Sequence, residues 1–281
     1  MRTLTLKRLF LSVFLISIVL TMNAQDTTSF KTYYDQGLAK YKAKDYANAI
    51  TDFSGAITKG SGIATNIASA YFYRATCKRL NKDFQGSLPD YDSAISNKND
   101  NADYYTGRAE AKKALNDYDG AIADYSKVIE LKPSSEKAYF ERANMKNLKK
   151  DFTAAITDYT SAIGLKPDFY EAFNFRGRCK YNTTDTTGAL EDYSKSIEIK
   201  PDYVLAYNNR ATIKYIQKDY EGAKNDYTKV IELKPQDGAS YNNRGKAYNA
   251  LKMKTEACAD FNKAKELGYE KADEMITKYC K

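Results

Sequence analysis

Apolar and small residues recur along this chain in a frame of 34 positions, and inside each frame they stand at helical intervals. Position 4 is aromatic in all seven frames: Tyr33, Tyr71, Tyr105, Tyr139, Phe173, Tyr207 and Tyr241. Position 8 is small: Gly37, Ala75, Ala109, Ala143, Gly177, Ala211 and Gly245. Position 20 is small again, from Ala49 through Ser87 to Ala257, and position 24 is aromatic, from Phe53 through Tyr91 to Phe261. Positions 4 and 8 lie one helical turn apart, as do 20 and 24, so each frame predicts two amphipathic helices. Small residues let the two helices approach, and a ring fills the gap beside them. In the frame that starts at Val204 the helices should run from about Leu205 to Ile216 and from about Glu221 to Lys234. Asp219-Tyr220 makes the turn and Pro235 ends the second helix.

The period is also visible as repeated phrases. DYSKVIELKP ends at Pro133, and its variants end at Pro167, Pro201 and Pro235. A fixed period of this size marks stacked repeats, each touching only its neighbours. The frames start at Phe30, Ala68, Ala102, Glu136, Tyr170, Val204 and Gly238 and fill residues 30–271, with four extra residues before Ala68. Pro89 falls inside a second helix, which should therefore start late or bend. A last helix from about Glu270 to Tyr279 should cap the array, residues 272–281 forming its end. The fold expected is all-α, an α-solenoid.

Aromatic, small, Ala, aromatic and Pro at these places resemble the tetratricopeptide repeat, a helix-turn-helix unit. That resemblance implies a right-handed superhelix whose concave groove is lined by the first helix of each unit. It implies protein or peptide binding rather than catalysis. The chain departs from the family pattern in three ways. Tyr or Phe replaces the usual Trp, Arg stands at position 7 in six repeats, and Lys stands at position 11 in six.

Position 23 is Asp in every repeat. Pairing each Asp with the Arg of the following repeat gives Asp52–Arg74, Asp90–Arg108, Asp124–Arg142, Asp158–Arg176, Asp192–Arg210 and Asp226–Arg244, a salt-bridge ladder between repeats. The first repeat carries Gln36 in place of Arg, and no Asp precedes it, which fits that register. Lys40, Lys78, Lys112, Lys146, Lys180 and Lys214 lie four residues after position 7, on the same helix face. In the last repeat Tyr248 takes that place, as if the lysine also served a neighbour.

Charge and cysteine content narrow the function. Three of the 44 basic residues, Arg2, Lys7 and Arg8, precede an apolar run from Leu9 to Leu20, which leaves a net charge of +5 spread over the repeats. No basic stripe of the kind that tracks nucleic acid stands out. The apolar run of about 12 residues suits a secretory signal cleaved after Ala24 and falls short of the roughly 20 a spanning helix needs. Residues 1–24 are read as the signal, 25–29 as a linker, and the mature chain as periplasmic or secreted, with no membrane span. Cys77 and Cys179 share position 10 and read as small core residues. Cys258 and Cys280 are the pair that a disulfide would join, pinning the last helix to the array. The chain has no histidine, no Gly-rich phosphate loop and no CxxC, so no metal site, cofactor or catalytic residue is expected.

The resemblance places positions 2, 5, 9, 12 and 13 of the first helix on the concave side, joined by position 6 where asparagines are used. Asn174, Asn208 and Asn242 hold position 5 in three consecutive repeats, and Asn209 and Asn243 follow two of them. Amide donors and acceptors in a row suit an extended peptide backbone. Phe140, Tyr181 and Tyr215 would add apolar contacts, and Arg178 and Lys246 charge. The expected partner is an envelope protein or extended peptide. The alternative is a cell-wall carbohydrate stacked on some of the 25 tyrosines. The Lys/Asn/Arg clamp that other family members use for a terminal carboxylate is matched in no three consecutive repeats.

Overall fold

The computed structural model describes residues 28–60 and 64–280. The leader read over residues 1–24 lies outside them, whereas residues 28 and 29, assigned to the linker, already belong to the first helix. That helix, α1, covers residues 28–42 and pairs with α2 (Tyr46–Lys59). Then follow α3 (Ala64–Leu80) with α4 (Phe84–Asn97), and α5 (Ala102–Ala114) with α6 (Tyr118–Leu131). The second half holds α7 (Glu136–Leu148) with α8 (Phe152–Leu165), α9 (Tyr170–Asn182) with α10 (Thr186–Ile199), and α11 (Val204–Ile216) with α12 (Tyr220–Leu233). It ends with α13 (Gly238–Ala250), α14 (Lys254–Glu266) and α15 (Ala272–Tyr279). The described residues contain no strand, and the architecture is an all-α solenoid. Two compact units are distinguished, one ending at Ser134 and one beginning at Ser135. In each, consecutive helices pack together, and first helices of neighbouring repeats also meet, α3 with α5 and α9 with α11.

The small and aromatic positions make the core of both units. Phe53, Tyr91, Tyr159 and Phe261 at position 24 are fully buried, and the alanines at positions 8 and 20 beside them are inaccessible to solvent. Each such side chain contributes about 1.5–3 kcal/mol by leaving water. The four residues inserted before Ala68 form helix: α3 starts at Ala64 and is 17 residues long, where α5, α7, α9, α11 and α13 have 13 each. One turn takes 3.6 residues, so a four-residue extension leaves the buried stripe nearly in phase. Pro89 neither delays nor shortens α4, which starts at the same position and has the same 14 residues as α6.

Every first helix closes with the same turn. Lys44, Lys82, Asn116, Lys150, Thr184, Lys218 and Lys252 at position 15 are left-handed, with φ between 62° and 69°. The N–H of the next residue returns to a carbonyl five back, Asp219 to Lys214 at 2.9 Å, while position 15 itself bonds three back, Lys218 to Tyr215 at 3.0 Å. This is a Schellman closure made without glycine. The following Asp caps the second helix: Asp219 accepts the Gly222 N–H at 2.9 Å, and Asp185 the Gly188 N–H at the same distance. The turn is thus Lys218-Asp219, one residue earlier than the pattern predicts, and Tyr220 is already helical.

The salt-bridge ladder is present in a different register. Each Arg grips the Asp of its own repeat, sixteen residues later: Arg74–Asp90, Arg108–Asp124, Arg142–Asp158, Arg176–Asp192, Arg210–Asp226 and Arg244–Asp260. Nε and Nη2 donate in parallel to the two carboxylate oxygens, a bidentate geometry. The reason is local. Positions 7 and 23 lie on facing sides of one antiparallel helix pair, beside positions 8 and 24, so the intra-repeat partner is nearer. What reaches the preceding repeat is the remaining Nη1, and it goes to position 25. Arg74 donates to Ser54 at 3.0 Å, Arg108 to Asp92 at 2.6 Å, Arg210 to Ser194 at 3.0 Å and Arg244 to Thr228 at 3.3 Å. The position 11 lysines join the same aspartates, as Lys180 does Asp192 at 3.1 Å and Lys214 does Asp226 at 2.9 Å. In the first repeat, where Gln36 stands, Lys40 serves Asp52 at 2.6 Å. In the last, Tyr248 packs under the Arg244 guanidinium, 5.7 Å from ring centre to Cζ, and the lysine serves no neighbour.

Candidate functional site

The sequence-predicted site residues all belong to the unit that begins at Ser135, on the first helices α7, α9, α11 and α13. The asparagines do not form an open row. Asn174 and Asn242 are 2% and 0% exposed. Asn209 Nδ2 donates to Asn174 Oδ1 at 2.9 Å, across 35 positions, so position 6 of one repeat ties to position 5 of the one before. Asn242 Nδ2 turns to Asn243 Oδ1 at 3.4 Å, and Ser240 Oγ to Asn208 Oδ1 at 3.5 Å. Position 5 of α9 faces the neighbouring first helix, and the Asn174 amide is used there, whereas the Asn242 Oδ1 is buried with no hydrogen-bond partner among the described residues. Asn174, Asn208 and Asn209 take part in bonds between repeats, and of the five asparagines Asn208, Asn209 and Asn243 keep part of their surface.

Phe140 is likewise half-buried. Its ring lies 4.6 Å from Phe169 and 5.7 Å from Tyr159, with Phe175 edge-on at 5.9 Å. Arg178 is exposed and rests its guanidinium over Phe175, 5.2 Å from the ring centre. Among the described residues neither Arg178 nor Lys246 has a carboxylate within ion-pair range, in contrast to the position 7 and 11 cations.

Solvent meets apolar side chains along the ends of the same helices. Leu148 and Ile216, both at position 13, are 53% and 58% exposed, and Tyr181 at position 12 is 37% exposed. A pocket of about 170 Å³ opens beside Ile216, lined also by Thr212, Tyr215, Tyr227, Asn243 and Lys246. Tyr215 packs edge-on against Tyr220 at 5.3 Å, and burial beside Tyr220 and Tyr279 raises its phenol above the ordinary value. Three of the ten expected residues therefore converge here. Thr212, Ile216 and Tyr227 were missed. Positions 9 and 13, where Thr212 and Ile216 stand, were already assigned to this face, so an isoleucine on a solvent-facing position was the signal available.

At the far end Cys258 and Cys280 are joined, their Cα atoms 5.6 Å apart. The bridge holds α15 over Phe261, with Met275 buried and Tyr279 stacked on that ring at 6.1 Å. Cys77 and Cys179 are free and buried, and desolvation pushes their thiols up to about 12 and about 11. Among the described residues no three Cys, Asp or Glu side chains converge as a metal site, and no helix is long and apolar enough to cross a membrane.

Models of the tetratricopeptide repeat match residues 204–237, and residues 136–169 with 238–267, and a further model of the same repeat matches 110–147. The matches at 136–169 and 204–237 coincide with whole frames of 34 residues, and that at 238–267 starts on one. The chain is a tetratricopeptide repeat protein. No curated protein matches it in sequence. Among solved structures, this tetratricopeptide repeat protein is similar to the C-terminal part of a TPR repeat-containing protein from Cytophaga hutchinsonii. The TM-score is 0.73 and the identity 19%, over 86% of this chain and 99% of that one. A tetratricopeptide repeat protein from Parabacteroides merdae gives 0.64 at 20% identity, over 90% and 100%. YrrB, described as a TPR protein with an unusual peptide-binding site, gives 0.56 at 19%, over 64% and 93%. At these identities the likeness is one of fold.

Proposed function

We propose that the chain is an exported, non-catalytic scaffold that holds an extended segment of a partner protein along the first-helix face of α7, α9, α11 and α13. The carrying observation is the coincidence on this face of exposed apolar side chains, Leu148, Tyr181 and Ile216, with two cations that have no acidic partner among the described residues. Lys195, Lys229 and Lys263 on the second helices each pair with a glutamate three residues on, and the position 7 and 11 cations pair with buried aspartates. Exposed apolar side chains beside cations that have no acidic partner among the described residues suit a partner. The basic, apolar leader and the Cys258–Cys280 bridge support export to an oxidising compartment.

Photo-crosslinking in the producing cell tests this reading. A crosslinking amino acid at Tyr181 or Tyr215 should trap a protein partner, and the same group at Lys195 or Lys229 should not. Equal trapping from both faces, or from the second helices alone, removes the assigned surface. The mass of the purified mature chain should correspond to a start at Gln25, and an intact leader would rule out the cleavage.

A further inference from the structure

We infer that the pocket beside Ile216 receives a single apolar side chain of the bound segment, and that carboxylates flanking that anchor meet Lys246 and Arg178: the partner segment is acidic and internal to its chain. This rests on the peptide-binding reading above and specifies its ligand.

Size comes first. At about 170 Å³ the pocket is below the roughly 300 Å³ at which small-molecule sites begin, and it suits one side chain. Its walls are the rings of Tyr215 and Tyr227 and the exposed Ile216, so the side chain is apolar. The rim carries hydroxyls and two nitrogen donors. Thr212 Oγ1 is engaged by the Asn208 carbonyl at 2.8 Å and shares a hydrogen bond with Tyr227 Oη at 3.3 Å. Asn243 Oδ1 accepts from Asn242, which leaves its amide NH₂ without a partner among the described residues. Lys246 Nζ is in the same position. A rim whose one charged group is an ammonium, with an unengaged NH₂ beside it, favours a ligand that brings oxygen acceptors and negative charge. Arg178 holds position 9, as Lys246 does, two repeats earlier, and its guanidinium is already oriented over Phe175. A second carboxylate along an extended segment finds it there.

The test pans short random peptides, displayed within a loop so that no free terminus is present, against the mature full chain. Enriched sequences should carry one large apolar residue flanked by Asp or Glu. Synthetic versions, acetylated and amidated, should lose binding tenfold or more against Lys246→Glu and against Ile216→Ser. Both residues have solvent-accessible surface, and neither substitution touches the core. Binding should weaken steeply with salt. Replacing the flanking acids by Lys should abolish binding to the parent and restore it to Lys246→Glu. Peptides that bind without acidic residues, or that bind both variants as tightly as the parent, overturn the inference and leave a peptide-binding face elsewhere. Binding recovered only with a free C-terminal carboxylate overturns it in favour of terminus capture. No enrichment of any peptide removes this inference and the peptide-binding reading together.

Discussion

Arg176 holds Asp192 of its own repeat through two parallel hydrogen bonds, 2.9 Å from Nε and 2.7 Å from Nη2, while its Nη1 reaches back 3.1 Å to Thr160 of the preceding repeat. One side chain thereby closes a helix pair and couples it to its neighbour. The same guanidinium lies over Phe173, 5.4 Å from the ring centre. The buried carboxylate needs this arrangement, because an aspartate removed from water without a cation is strongly disfavoured.

The number of cations per aspartate differs between repeats, and stability should follow it. Asp192 keeps Lys180 when Arg176 is lost, so Arg176→Met should cost about 1–2 kcal/mol. Asp260 has no lysine at position 11 of its repeat, so Arg244→Met leaves it buried without that support and should cost about 3–5 kcal/mol. Native-state hydrogen exchange of α10 and α14 amides reads the two losses locally. Equal losses would mean the lysines contribute nothing.

Thr184 is the only β-branched residue among the seven that close a first helix, at φ 69°. Its Cβ meets the following carbonyl in this conformation, which costs roughly 1–2 kcal/mol and is absent for glycine. Thr184→Gly should therefore stabilise the α9–α10 pair by about 0.5–1 kcal/mol after the flexibility glycine adds to the unfolded chain. Asn116→Gly should be close to neutral, since asparagine tolerates the left-handed region. A loss of stability on Thr184→Gly in urea unfolding would show that the threonine is not strained.

How much of this was legible in the sequence depends on whether a feature is periodic or relational. The stripes at positions 4, 8, 20 and 24 repeat seven times, so helix pairs, core and repeat boundaries could be read from residue order. The pairing of Arg176 could not, because Asp192 sixteen residues on and Asp158 eighteen back both recur in every repeat, and periodicity does not say which is nearer. The Gln36 exception pointed to the wrong register, because Lys40 serves Asp52 where no Arg stands. Asn174 and Asn242 misled for a related reason. Polar residues on the expected binding face read as exposed, yet both are buried, and Asn174 spends its amide on Asn209 of the next first helix. Ile216 carried the opposite signal, an apolar residue where solvent was expected.

The Cys258–Cys280 bridge closes 22 residues and fixes α15 over Phe261. A closed loop of that length corresponds to about 3 kcal/mol in the chain-entropy picture. Reductant should lower the melting temperature of the parent and speed exchange of α15 amides. A Cys258→Ser, Cys280→Ser double variant should start at the reduced value and ignore reductant. A parent whose α15 exchange is unchanged by reductant would show that Met275 and Tyr279 hold the cap unaided.

Alkaline pH should loosen the protein through groups that the fold keeps neutral. Burial pushes Tyr34 and Tyr203 up to about 12 from an ordinary 10.0, and Cys77 and Cys179 to about 12 and about 11 from 9.0. Raised values in the folded state mean that the unfolded chain releases these protons first. Their contribution is complete below about pH 9, and it falls as pH rises through 10 and 11 and is gone above about 12. The urea midpoint should hold from about pH 7 to 9 and then drop, with phenolate absorbance lagging behind that of the unfolded chain. Cys77→Ala and Cys179→Ala should remove the earliest part of the drop, because thiols ionise first in the unfolded chain. Tyrosines that all titrate near 10, with a flat urea midpoint, would mean that solvent reaches Tyr34 and Tyr203 in the folded protein.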